Sequence, residues 1–186
     1  MLVSALAGCG ASEPPEGPVP RVAAPVAPLT VTSTDFIEGG TLPLVHAHSG
    51  FGCVGSNRSP ALGWEATPGA LSYALTLFDP DAPGGGWWHW TVANLPPSTT
   101  ALPAGAGGRR GRLPEGAVQG RTDFGSAGYG GPCPPAGDAP HRYVFTVHAL
   151  DVATLPVTDT TDGAAFAAMA RPHIIASGTI TGRFGR

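Results

Sequence analysis

The sequence predicts an all-β domain, an antiparallel two-sheet β-sandwich with one minor helical element, and three observations carry that expectation. Glycine and proline, 28 and 21 of 186 residues, interrupt almost every stretch long enough to form a helix. Between these breakers lie short runs that alternate with the period of two of a half-buried strand. Hydrophobic residues make up 42% and charged residues only 12%, with net charge -3. A disordered chain needs the opposite balance, so the glycines and prolines punctuate strands. The length suits one domain with its own core.

The elements follow in order. Residues 1–9 are apolar and small, and end in Leu6-Ala7-Gly8-Cys9. That ending resembles the cleavage box of bacterial lipoproteins, in which the cysteine becomes the lipidated N-terminus. Cys9 is therefore the expected lipidation site, the alternative being an ordinary start that happens to hold a cysteine. Residues 10–28 are rich in proline and alanine and read as a semi-extended tether. Residues 29–186 form the domain. Leu29–Thr34 and Leu44–His48 are weak strand candidates. Ser72–Phe78 places Tyr73, Leu75 and Leu77 on one side and Ala74, Thr76 and Phe78 on the other. Trp88–Asn94 opposes Trp88, Trp90 and Val92 to His89, Thr91 and Ala93. Arg142–Leu150 is a third run, rich in β-branched and aromatic residues, and Gly178–Phe184 a weaker one. One helix is expected near Gly163–Ala170, with Asp162 as its N-cap and Pro172 just past its end. The connection from about Leu95 to Pro140 is long for a compact domain, and such loops tend to carry function.

Composition excludes some partners. All ten basic residues are arginine and acidic residues number 13, so a nucleic-acid binder dominated by phosphate contacts is not expected. No run of 18 apolar residues exists, so the only expected membrane attachment is a lipid anchor. With Cys9 set aside, Cys53 and Cys133 remain. In an oxidising envelope they form a disulfide, or else stay as two buried thiols.

The polar residues gather near strand ends. Asp79 and Asp81 follow the first long run, His89 lies near the start of the second, and His141 and Tyr143 open the third. If these runs are antiparallel neighbours, the residues meet at one pole of a sheet. Prolines beside them stiffen the loops.

These stretches resemble the phosphatidylethanolamine-binding protein family, also called Raf kinase inhibitor-like proteins, and its bacterial branch in particular. The resemblance rests on Phe51-Gly52-Cys53 with Asn57-Arg58-Ser59-Pro60-Ala61-Leu62-Gly63-Trp64, Asp79-Pro80-Asp81-Ala82-Pro83 and Trp87-Trp88-His89-Trp90. It continues through Asp123-Phe124-Gly125, Gly128-Tyr129-Gly130-Gly131-Pro132-Cys133-Pro134-Pro135 and His141-Arg142-Tyr143-Val144-Phe145. It implies two antiparallel sheets and a pocket that takes phosphate-like and other small anions. Asp79, Asp81, Pro83, His89, His141 and Tyr143 match positions that line that pocket, and Cys133 stands where eukaryotic members have glycine. The implied function is an envelope-tethered binding protein for a small anionic or phosphorylated ligand. The alternative is a regulator that docks its pocket rim on a protein partner, a protease or a kinase-like protein.

Other chemistry is weaker. A carboxylate beside an imidazole favours the charged ring. On that reasoning His89 and His141 donate to the anion as imidazolium, and binding strengthens as pH falls through the imidazole range. Asp81 and Arg142 are expected to form a buried ion pair that fixes the loops. Asp79, Asp81, His89 and His141 have the composition of a mixed metal site but no fixed ligand spacing, so neither metal nor cofactor is expected. His46 and His48 are read as surface residues of the Leu44–His48 strand. No G-x-S-x-G elbow is present. Cys133 and His141 are the one thiol–imidazole pair to weigh, and catalysis is not expected. Arg109-Arg110-Gly111-Arg112 reads as a solvated basic loop.

Overall fold

The computed structural model describes Met1, residues 26–108 and residues 111–186. Its strands begin with β1 (Ala27–Pro28), β2 (Val31–Thr32), β3 (Ser49–Gly50), β4 (Cys53–Val54) and β5 (Leu62–Trp64). The long β6 (Ser72–Asp79) and β7 (Trp87–Leu95) precede the short β8 (Ala101–Leu102) and β9 (Val118–Gln119). Then come β10 (His141–Leu150), the helix α1 (Gly163–Ala170) and β11 (Ile174–Phe184).

Six strands form the main sheet in the order β1-β11-β10-β6-β7-β9, and a second sheet has the order β2-β5-β8. All pairings are antiparallel except β1 with β11. β1 joins β11 at Ala176 and Ser177, far along the strand from Phe184. The core lies between the sheets. Tyr73, Leu75, Leu77, Val92, Tyr143, Phe145 and Val147 from the main sheet meet Val31, Leu62, Trp64 and Leu102 from the second. Each large side chain buried there is worth roughly 1.5–3 kcal/mol. The expected all-β sandwich with a minor helix is what the chain forms.

The outer face of the main sheet is covered in part by α1. Asp162 caps the helix, its Oδ1 accepting from the Ala165 N–H at 2.9 Å. Phe166 and Ala170 pack on Ala74, Ala93 and Leu150 in a second apolar cluster. Eight residues of helix cannot reach the whole face. Its first residue, Gly163, sits so close to Trp88 that a Cβ there would lie 2.1 Å from the indole Cγ.

Several sequence expectations change. Residues 44–46 form a 3-10 turn and not a strand, and His46 is buried, its Nδ1 2.7 Å from the Arg58 carbonyl. Pro43 starts that turn, and a chain so close to the protein's interior cannot alternate like a surface strand. Within the 29–34 run only Val31–Thr32 is a strand, in the second sheet, while Ala27–Pro28 just before the run joins the main sheet. The last two residues of the expected tether therefore belong to the domain. Helix α1 does end at Ala170 as expected, and Pro172 lies just past it in a 3-10 turn over Arg171–His173. Trp88 and Trp90 do not share a face. Leu77 pairs with Trp90 and Phe78 with Trp88, so β7 carries one extra residue at His89. This bulge lets His89 and Trp90 both turn inward while Trp88 packs outside against Phe78, ring centroids 4.6 Å apart.

Candidate functional site

A hollow of about 460 Å³ opens at the pole where β6 ends and β7 and β10 begin. Asp79 is the last residue of β6, buried to 2% exposure. Its Oδ1 accepts from the backbone N–H groups of Asp81 and Ala82, at 2.9 and 3.1 Å. Its Oδ2 accepts from His141 Nδ1 at 2.8 Å. The other ring nitrogen of His141 lies 3.6 Å from Asp138 Oδ2. The carboxylate thus ties the turn after β6 to the first residue of β10.

His89 stands on the bulge of β7, 3% exposed, and its Nδ1 donates to the Gly130 carbonyl at 2.7 Å. Burial pulls the imidazole down to about 4, and the neighbouring carbonyls, Asp79 and Asp123 offset this only in part. The ring is therefore neutral near pH 7 and offers Nε2 as an acceptor. The expectation that His89 donates as imidazolium does not hold, because desolvation outweighs the carboxylates.

Tyr143 meets the His89 ring edge-on at 5.2 Å and is fully buried. Burial first, and the Asp79 carboxylate second, push its hydroxyl above its ordinary range. That hydroxyl has no hydrogen-bond partner of good geometry, and neither has the buried Nε1 of Trp87, the first residue of β7. Both residues line the hollow.

The remaining wall comes from loops. Asp123 accepts from the Trp88 N–H at 2.7 Å and donates its own N–H to the Trp88 carbonyl at 3.0 Å. This holds Phe124 across the mouth, stacked on His48 at 4.4 Å and 5.9 Å from Phe51. Asn57 fastens the next stretch: its Nδ2 donates to the Tyr129 carbonyl and its Oδ1 accepts from the Gly131 N–H. A Cβ on Gly131 would lie 2.1 Å from the His46 carbonyl oxygen, so only glycine lets these two segments meet. Cys53 and Cys133 are bonded, S–S 2.07 Å, which joins hairpin β3–β4 to the wall formed by Cys133, Pro134 and Pro135. Cys133 thus offers no free thiol to His141.

The structure brings Asp79, Pro83, His89, Cys133, His141 and Tyr143 to one hollow. Asp81 is not among its lining residues. It faces outward and holds Arg142, whose Nη2 reaches Oδ1 at 2.7 Å and whose backbone N–H reaches Oδ2 at 2.8 Å. The hydrogen-bonded guanidinium lowers the Asp81 carboxyl to about 2. The pair is half-exposed, not buried as expected. Cys9, Arg109 and Arg110 lie outside the described residues. Phe51, Trp87, Asp123 and Phe124 also line the hollow and were not singled out as site residues. Their signal was present as Trp87-Trp88-His89-Trp90 and Asp123-Phe124-Gly125, but nothing local tells which ring faces inward.

Fold and hollow together define a class: an antiparallel β scaffold with an opening at one pole, walled by aromatic and proline side chains around Asp79, His89 and His141. Comparison with known proteins places it further. The family model described as phosphatidylethanolamine-binding protein matches residues 32–185. UPF0098 protein YbcL of Escherichia coli (strain K12) is 51% identical over 161 residues, covering 85% of this chain and 88% of that protein. UPF0098 protein YbhB of the same organism is 45% identical over 158 residues, 84% of this chain and 99% of its own length. A Mycobacterium tuberculosis (strain H37Rv) protein named "Putative lipoprotein LppC" is 37% identical over 164 residues, 82% of this chain and 76% of that one. The crystal structure of Escherichia coli YbcL, described as a new member of the mammalian PEBP family, superimposes with TM-score 0.83 and 50% identity, over 86% of this chain and 99% of that one. The chain belongs to the phosphatidylethanolamine-binding protein family.

Proposed function

We propose that this chain is an envelope-tethered binding protein whose hollow holds the phosphate-like group of a small anionic or phosphorylated ligand. The observation that carries the reading is the buried Tyr143 hydroxyl, which lines the hollow near Asp79 without a hydrogen bond of good geometry. An unsatisfied buried hydroxyl costs roughly 1–3 kcal/mol, a cost that a ligand oxygen would remove. Trp87 Nε1–H is a second donor in the same state.

The ligand's charge follows from the walls. No lysine or arginine is among the lining residues, and Asp79 and Asp123 are. A fully ionised phosphate would face carboxylates with no cation to offset them. A singly protonated phosphate suits the site better. Its P–OH donates to Asp79 or to His89 Nε2, and its other oxygens accept from Tyr143 and Trp87. The pH dependence then follows the ligand's own second ionisation, near 6 for a phosphomonoester, and not the titration of His89. Binding still strengthens as pH falls, for a different reason from the one the sequence suggested.

The attachment is proposed to be a lipid on Cys9, followed by the proline-rich tether. The name of the LppC relative supports this. No helix among the described residues is long and apolar enough to cross a membrane. A second reading, a regulator docking a protease or kinase-like partner on the rim, is favoured by Phe51 and Val54, which are 75% and 82% exposed.

The test is Tyr143→Phe, with calorimetry against inorganic phosphate and phosphoethanolamine. We expect affinity to fall about tenfold, equivalent to 1.4 kcal/mol, while the free protein unfolds at an equal or higher urea concentration. Unchanged affinity would remove Tyr143 from the site. If neither compound binds the native protein and Phe51→Ser abolishes capture of an envelope partner, the second reading replaces the first.

A further inference from the structure

The main sheet carries a second cavity on its other side. It measures about 350 Å³ and lies between helix α1 and the part of the outer face that the helix leaves open. That size falls within the ordinary range of small-molecule sites. It lies back to back with the first hollow: Phe78 and Trp88 line it, while their chain neighbours Asp79, Trp87 and His89 line that hollow.

The strand register gives this groove a direction. Val144 pairs with Phe78, Thr146 with Thr76, and His148 with Ala74. One end is therefore aromatic, built by Phe78 and Trp88. The middle is Thr76 beside Thr146. The other end holds His148, with Arg171 contributed by the turn after α1. Four residues of strand separate the ends, about 13 Å at the usual rise.

Chemistry also runs in one direction along it. No acidic residue is among those lining the groove, and Arg171 is their one permanent cation. Arg171 is exposed and makes no ion pair among the described residues. His148 Nδ1 is 3.0 Å from the Ser177 hydroxyl, and its Nε2 has no hydrogen bond among the described residues. When Ser177 donates to Nδ1, the neutral ring carries its proton on Nε2 and presents it as a donor. Burial keeps this ring neutral, at about 4.

We propose that this groove is a second binding site, for an aliphatic carboxylate whose chain lies on Phe78 and Trp88 and whose carboxylate lies between His148 and Arg171. A cationic amphiphile meets Arg171 with the wrong sign. A neutral one gains the apolar wall but leaves Arg171 unpaired. The site shares no lining residue with the first hollow and takes a different class of ligand.

The experiment titrates decanoate, decanol and decyltrimethylammonium into the full chain by calorimetry, with the Thr146 and Ala167 methyl groups followed by NMR. We expect decanoate to bind about tenfold more tightly than decanol, the trimethylammonium compound to bind most weakly, and both methyl signals to shift. Arg171 is exposed, so Arg171→Gln should fold normally. It should remove the tenfold preference and leave phosphate affinity at the hollow unchanged. The proposal is overturned if decanoate does not bind, if decanol equals it, if Arg171→Gln keeps the preference, or if the shifts fall on Ala82 in the hollow.

Discussion

Acid should weaken this fold through His89, and the size of the effect can be worked out. In the unfolded chain the imidazole takes a proton near 6.5; in the fold it stays neutral down to about 4. Between those values the unfolded state binds more protons, so stability falls as pH falls. Each unit of separation is worth 1.36 kcal/mol, giving about 3 kcal/mol once both states are protonated and about 2.5 kcal/mol between pH 7.5 and 4.5. His148 is lowered in the same direction by its own burial, so the native protein alone cannot isolate His89. The comparison is between native protein and His89→Gln, each unfolded in urea at both pH values with the disulfide intact. Gln does not titrate, so the native protein should lose about 2.5 kcal/mol more than the variant. With an m-value of about 2 kcal/mol/M this is a midpoint difference of about 1.2 M. Equal acid loss in the two proteins would refute the reasoning. His89 would then take up its proton as readily in the fold as in the unfolded chain, and the hollow would turn cationic on mild acidification.

Two further outcomes concern the scaffold. Reducing the Cys53–Cys133 bond, or replacing both residues by serine, opens a loop with a sequence separation of 80. The chain-entropy model puts the loss at about 4.5 kcal/mol. Urea unfolding with and without reductant measures it, and phosphate affinity should fall as well, since Cys133 lines the hollow. Gly178→Ala would place a Cβ 1.6 Å from the Leu29 carbonyl oxygen. Because that atom is backbone, β1 must leave β11 at a cost of about 2 kcal/mol or more. Amide exchange at Leu29, whose N–H donates to Ser177 at 3.0 Å, should accelerate. Protection equal to that of the native protein would show that the two strands part without cost.

The long strands were legible because their period is local. Tyr73, Leu75 and Leu77 face the core as their alternation predicts. Asp162 and α1 were legible for the same reason, a cap followed, after Gly163, by seven residues free of breakers. The bulge at His89 was not, because one extra residue in β7 is defined only against its partner β6. Without it, Trp88 and Trp90 share a face and His89 points away from the core. The 3-10 turn at residues 44–46 was hidden similarly, since its role is set by the Asn57 and Gly131 segments packed around it. In the candidate site the buried carboxylate, the two histidines and Tyr143 could be named from their places at strand ends. Asp81 was grouped with them by adjacency, yet two residues along a tight turn suffice to face it outward onto Arg142. The aromatic wall of Phe51, Trp87 and Phe124 comes from three separate segments, and no single window of sequence contains it.

Strand β1 fixes how the domain is presented. It enters the sheet at Ala176 and Ser177, whereas the hollow opens beside His141, which pairs with Phe184 at the far end of the same strand. Eight residues of β11 separate the two points, about 26 Å at the usual rise. If Cys9 carries the proposed lipid, the strand that leads from the anchor joins the domain at the end of β11 away from the mouth, so a ligand can enter the hollow without passing the point of attachment.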